Sequence, residues 1–210
     1  MTKSDQLQGV IKDMEASVAK LPLAQTAKDI VPPEGNPEAE IIFIGEAAGY
    51  HESVQRRPFV GAAGKLLTQS LTDIGLNRQD VWISNVLKTR PPNNRDPQPS
   101  EIEAYAPYLD QEINILKPKI IVTLGRFSMA KFLPEAKISQ VHGQARWVNW
   151  HHLRFLVMPM YHPAAALRSG EVLRQFKADF AKLRDIINKV NHEPTAAPEP
   201  ETQTAQLSLI

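Results

Sequence analysis

Four short apolar runs constrain this chain more than any other feature. Ile41–Ile44, Val81–Val86, Ile120–Leu124 and Phe155–Met160 are dominated by aliphatic and β-branched residues, the composition of buried strands. Each is followed by a loop and a stretch with helical periodicity. The runs are near-continuous rather than alternating, which implies strands buried on both faces, and hence a parallel sheet covered by helices. The expected fold is a three-layer α/β/α sandwich with a central four-stranded, mostly parallel sheet. One domain is expected over residues 1–191, and the 42% hydrophobic content is enough for a full core.

The expected helices follow from spacing and stop signals. Leu7, Val10, Ile11, Met14 and Val18 share one face of a helix over Asp5–Leu21 that Pro22 ends. Ala27–Glu40 is a connector punctuated by proline and glycine. A helix is expected over Gly64–Ile74. Ser100 with Glu103 has the pattern of a capping box, opening a helix that carries Ile102, Tyr105, Ala106, Leu109, Ile113 and Leu116 as far as Pro118. A short helix follows Gly125 through Phe132, Gly143–Trp150 is a candidate hairpin strand, and Glu171–Val190 is the last helix. From His192 onward the composition changes to Pro, Ala, Glu, Thr and Gln, which signals a disordered tail over residues 192–210.

The absence of cysteine excludes disulfides and thiolate-held metal. No apolar run is long enough to span a bilayer and the polar N-terminus lacks a signal-peptide core, so a cytoplasmic location is expected. The formal charge is +1, but the tail holds three of the 23 acids and no Lys or Arg, which leaves the domain mildly basic. A nucleic-acid partner must therefore be met by local clustering of charge.

Ligands of open α/β sheets sit in the loops at the carboxyl ends of the strands. Here those loops hold Glu46, Glu52, Arg56, Arg57 and Phe59 after the first strand, and Asn85, Lys88, Arg90 and Arg95 after the second. Gly125 and Arg126 follow the third, and His162, Leu167 and Arg168 follow the fourth. Each has an ordinary reading: solvated loop acids, a phenylalanine lid, an asparagine in a turn, a histidine cap, a wet basic surface. Convergence on one sheet edge favours a shared cleft. Acid, aromatic and cation together suit a flat polar ligand attached to something anionic, such as a base on a nucleic-acid backbone.

These residues also carry a resemblance. GEAAG with RPFVGAAGKLL resembles the first motif of the family 4 uracil-DNA glycosylases, usually GEAPG with GRPFVG. SNVLKTRPPNNRDP, KPKIIVTLGR and HPAAALRS resemble their asparagine strand, third strand and second motif, in the same order from about Pro22 to Lys189. The resemblance implies Glu46, Asn85 and His162 as catalytic residues and Phe59, Asn85, Glu52 and His162 as the uracil site, with Glu52 crowding the C5 position. It implies DNA contacts from Arg56, Arg57, Lys88, Arg90, Arg95, Leu167 and Arg168. Family 4 enzymes usually hold a [4Fe–4S] cluster on four cysteines, and the matching positions here are Val18, Leu21, Thr89 and Tyr105. The expectation is a cluster-free branch with no cofactor, in which packing replaces the metal. Ala48 replaces the motif's proline. The implied activity is excision of uracil from DNA by a monomer; hypoxanthine as the substrate base, or a non-catalytic DNA-binding module, are the alternatives. Finally, Gln206-Leu207-Ser208-Leu209-Ile210 resembles the pentapeptide by which bacterial repair proteins bind the sliding clamp, usually QLSLF or QLDLF. It implies a nucleoid-associated bacterial protein tethered through Gln206, Leu207, Leu209 and Ile210.

Overall fold

The computed structural model describes residues 1–192; of the tail read from the sequence, His192 ends the last helix and residues 193–210 lie outside the described residues. The elements in chain order are α1 (Lys3–Ala16), β1 (Glu34–Gly35), β2 (Ile41–Gly45), α2 (Tyr50–Gln55), α3 (Ala62–Asp73), β3 (Trp82–Asn85), α4 (Pro99–Leu116) and β4 (Ile120–Leu124). They continue with α5 (Arg126–Ala130), α6 (Ile138–Val141), β5 (Arg146–Trp150), β6 (Leu153–Met160), α7 (Pro163–Ala166) and α8 (Gly170–His192).

The strands form one sheet in the order β1-β3-β2-β4-β6-β5. The four apolar runs are its parallel centre, β3-β2-β4-β6. Among the described residues the sheet has six strands rather than the expected four, because antiparallel edges are added by β1 and by β5, which is the hairpin strand expected within Gly143–Trp150. Strand alternation sorts the core into two layers. Ile41, Phe43, Ile83, Val122 and Met158 pack with Leu67 and Leu71 of α3 and Phe176, Phe180 and Leu183 of α8. Ile42, Ile44, Trp82, Ile121 and Val157 pack with Leu7 of α1 and Leu109, Ile113 and Leu116 of α4 on the opposite face.

Three local expectations change. α1 stops at Ala16, with a 3-10 turn over Val18–Lys20. Helix α4 begins one residue before Ser100, and its capping box is Gln98 with Glu101, since Pro99 fits the first helical turn, where no N–H is needed. The loop after β2 contains α2, whose C-cap Arg56 takes a left-handed conformation, φ 52°.

Parallel strands put all four carboxyl ends on one edge. Register places Gly45 beside Asn85, and the ladder continues past both strands, with Val86 N–H donating to Gly45 O (3.1 Å) and Leu87 N–H to Glu46 O (2.9 Å). Gly125 N–H likewise donates to Met160 O at 2.8 Å, joining the ends of β4 and β6.

Candidate active site

At that edge lies a cavity of about 380 Å³, a size typical of small-molecule clefts. Glu46, Glu52, Phe59, Asn85, Arg95, His162 and Arg168 all line it, so seven of the expected site residues converge.

The floor is built by close packing. A Cβ at Gly45 would lie 2.3 Å from the Phe59 ring and 2.4 Å from Asn85 Oδ1, so only glycine there lets ring and amide meet. Asn85 is buried, and its Oδ1 has no hydrogen-bond partner among the described residues. A buried acceptor left unpaired is costly, and a donor brought by a ligand would remove that cost.

Phe59 is held in the left-handed region, φ 51°, an unfavourable conformation for a bulky residue. Its turn is fixed from two sides. Glu52 Oε1 accepts from the N–H groups of Val60 (2.9 Å) and Gly61 (2.7 Å). Arg78 Nη1 donates to Phe59 O at 3.0 Å, and its Nη2 donates to Pro58 O. Glu34 anchors Arg78 and Arg57 together, at 2.7 Å each. Burial opposes ionisation of Glu34, but hydrogen bonds from the two arginines outweigh it and hold its pKa below the usual carboxylate value. Sequence reasoning missed Arg78, which has no motif around it. Glu52, expected only to crowd a ligand, also fastens the turn that carries Phe59.

His162 caps α7, and its Nδ1 accepts from Ala164 N–H at 3.1 Å. That bond assigns the proton to Nε2, leaving an N–H donor for a ligand. Burial lowers its pKa to about 4, with Arg168 acting in the same direction and Glu52 opposing, so the imidazole is neutral at pH 7. Gly125, at φ +95°, lies against the ring: a Cβ there would be 3.2 Å from His162 Cβ. The Phe59 and His162 ring centroids are 5.7 Å apart. Glu46 is partly buried, and desolvation raises its pKa, reinforced by Asp96 and countered by Arg126. A carboxylate poised this way suits a base or water-positioning group.

The expected DNA-contacting set divides. Arg168 lines the cavity, and Leu167 beside it is 50% exposed. Arg95 faces the cavity while forking onto Glu101 at 2.9 and 2.5 Å. Arg90 lies at the rim, donating to Asn94 at 2.8 Å. Arg57 is committed to Glu34, and Arg56 to Glu15 and to Ile30 O (3.1 Å), so both chiefly tie loops together. Lys88 is a correction. It is 1% exposed, with Nζ 2.5 Å from Glu112 Oε1 and bonded to Ser84. It points into the α4 layer and cannot reach a phosphate. Burial lowers its pKa and Glu112 works against that.

The four positions matching cluster ligands do meet around one core region. Leu21 and Tyr105 are buried together with Met14, Ile30 and Leu87, and Val18 packs against them. Tyr105 Oη donates to Pro22 O at 3.0 Å, and burial pushes its pKa up to about 12. Thr89 is fully buried. Aliphatic, hydroxyl and phenol groups offer no soft ligand, so these residues do not fit an iron–sulfur cluster. Among the described residues, no group of three or more His, Asp or Glu is placed to hold a metal ion.

The Uracil DNA glycosylase superfamily model matches residues 32–185, a span that contains every cavity-lining residue. The chain belongs to that superfamily. It is 47% identical over 182 residues to a type-4 uracil-DNA glycosylase of Sulfurisphaera tokodaii, covering 84% of this chain and 83% of that one. The type-4 uracil-DNA glycosylase of Archaeoglobus fulgidus is 42% identical over 191 residues (88% and 95%), and that of Thermotoga maritima 36% over 191 residues (90% and 99%). These relatives agree with the family that the four motifs resemble.

Proposed function

We propose that this superfamily member is a monofunctional uracil-DNA glycosylase that hydrolyses the N-glycosidic bond of a uracil flipped out of DNA and leaves an abasic site. The observation that carries this reading is the unpaired, buried Asn85 Oδ1, which meets the Phe59 ring at Gly45 in a cavity that His162, with its proton on Nε2, also lines. Stacked bases must leave the helix to reach such a cavity. Phe59 stacks on the flipped ring. Uracil N3–H donates to Asn85 Oδ1, and the amide N–H donates to uracil O4. Cytosine inverts that edge and leaves buried polar groups unpaired, a large penalty.

Cleavage leaves the bonding electron pair on the base. The neutral His162 donates from Nε2 to uracil O2 and stabilises the departing anion. Glu46 orients a water toward the sugar, offsets its developing positive charge and takes the water's proton. No lysine lines the cavity among the described residues, which supports hydrolysis rather than Schiff-base chemistry. Arg168, Arg95 and Arg90 meet phosphates, and Leu167 fills the gap in the stack.

Single- and double-stranded oligonucleotides containing uracil, hypoxanthine or xanthine, treated with alkali after incubation, test the reading. Strand breaks confined to uracil support it. Breaks at hypoxanthine alone reassign the base, and none at any base leaves a binding module.

The protein works without an iron–sulfur cluster: purified aerobically, it is expected to be colourless near 400 nm (roughly the region of thiolate-to-iron charge transfer) and to keep its activity after chelation. Stoichiometric iron that survives chelation would contradict this. The C-terminal QLSLI docks on the sliding clamp of a bacterial host and raises the local concentration of a monomeric enzyme on replicating DNA. Deleting Gln206–Ile210 is expected to abolish clamp binding in a calorimetric titration and to leave excision from free oligonucleotides intact. Equal clamp affinity of the truncated protein would refute the tether.

A further inference from the structure

Tyr50 opens α2 next to Gly49, which lines the cavity, and is 58% exposed. Val54, one turn on and on the same face, is 66% exposed. Single exposed apolar side chains are ordinary on protein surfaces, so exposure alone decides nothing. The setting of Tyr50 does. The Arg90 guanidinium lies over its ring at 5.2 Å from the centroid, and His51 meets that ring edge-on at 5.4 Å. Arg90 is in turn hydrogen-bonded to Asn94, which lines the cavity between Pro91 and Arg95. An aromatic face backed by a cation thus adjoins the cavity, through Gly49 on one side and Asn94 on the other.

Proteins that bind single strands combine stacking aromatics with basic groups along the backbone path. On the reading that this cavity excises uracil, we infer that Tyr50, backed by Arg90, is a stacking platform for the unpaired nucleobase flanking the flipped nucleotide. The occupant is a base free of a duplex, because a flanking base inside a duplex keeps its own stack and pair. The platform therefore confers a preference for single-stranded DNA. It is a binding feature of the rim and takes no part in bond cleavage.

Steady-state excision from single- and double-stranded uracil oligonucleotides, with Tyr50→Ala and Tyr50→Phe, tests the inference. Base–aromatic stacking sets the scale: Tyr50→Ala is expected to raise KM on the single strand roughly tenfold, with kcat and the duplex KM changed less than about twofold. Tyr50→Phe, which keeps the ring, is expected to behave as wild type. An unchanged single-strand KM in Tyr50→Ala, or an equal rise on both substrates, overturns the platform. Binding to a uracil-free oligo(dT), followed by anisotropy, separates this inference from the excision reading. If the wild type releases no uracil, the excision reading fails, while loss of oligo(dT) affinity in Tyr50→Ala still supports the platform and its retention refutes it.

Discussion

His162→Ala is expected to lower the single-turnover rate of uracil release by ~10²-fold or more, the scale of losing one donor to a developing oxyanion. DNA affinity should change far less, because the bond from Nε2 strengthens only as charge moves onto the leaving base. The geometry supports this partition. Nδ1 is occupied by Ala164 N–H, and burial holds the ring's pKa at about 4, so a neutral imidazole with its proton on Nε2 is present throughout neutral pH. The pH–rate profile should accordingly show no inflection where an ordinary histidine titrates. Its acid limb belongs to Glu46, whose pKa is raised by burial: rate falls as pH drops through that raised value and the carboxylate takes a proton. Single-turnover rates, with dissociation constants measured on a non-cleavable oligonucleotide, check both parts. A His162→Ala variant that excises at the wild-type rate would remove this residue from the chemistry.

Lys88→Met is expected to destabilise the fold by about 3–5 kcal/mol, the cost of stripping one partner from a buried ion pair. For a chain of this size that is a fall in Tm of roughly 10 °C. Both partners are 1% exposed, and without Nζ the Glu112 carboxylate keeps, among the described residues, only Trp82 Nε1, at 3.1 Å, as a donor. A Lys88→Met/Glu112→Leu double variant should recover much of the loss, since it removes the uncompensated charge as well. The salt dependence of DNA binding should stay as in wild type, because Lys88 faces α4. Thermal unfolding and salt-titrated binding of the two variants provide the check. A stable Lys88→Met protein with weakened DNA affinity would restore Lys88 to the interface.

Lys88 also shows where sequence reading stops. In LKTRPPNNRDP it is one cation among several in a proline-rich loop. Its partner lies 24 residues on, and only the continuation of β3 against α4 brings the two together. The parallel core was legible because β-branched runs buried on both faces leave a local signature. The edges were less so: β1 is two residues long and shows no apolar run, while β5, with only partly buried and exposed positions, was legible just as a candidate hairpin strand. The cleft was legible as a set, since parallel topology sends Glu46, Asn85 and His162 to one edge. What holds the set in place was not. Glu52 and Arg78 act through the backbone of a strained turn, contacts that have no sequence period.

The pairing of Asn85 with the uracil edge carries the account, and single-turnover uracil release by wild type and Asn85→Asp measures it most directly. The wild type is expected to release one free uracil per oligonucleotide and leave an alkali-labile site. The carboxylate keeps the acceptor but removes the amide donor to O4 and sets a negative charge beside the departing anion, so Asn85→Asp should be slower by roughly 10²-fold or more. Equal rates for the two proteins, or no uracil released by the wild type, would contradict the assignment of this cavity.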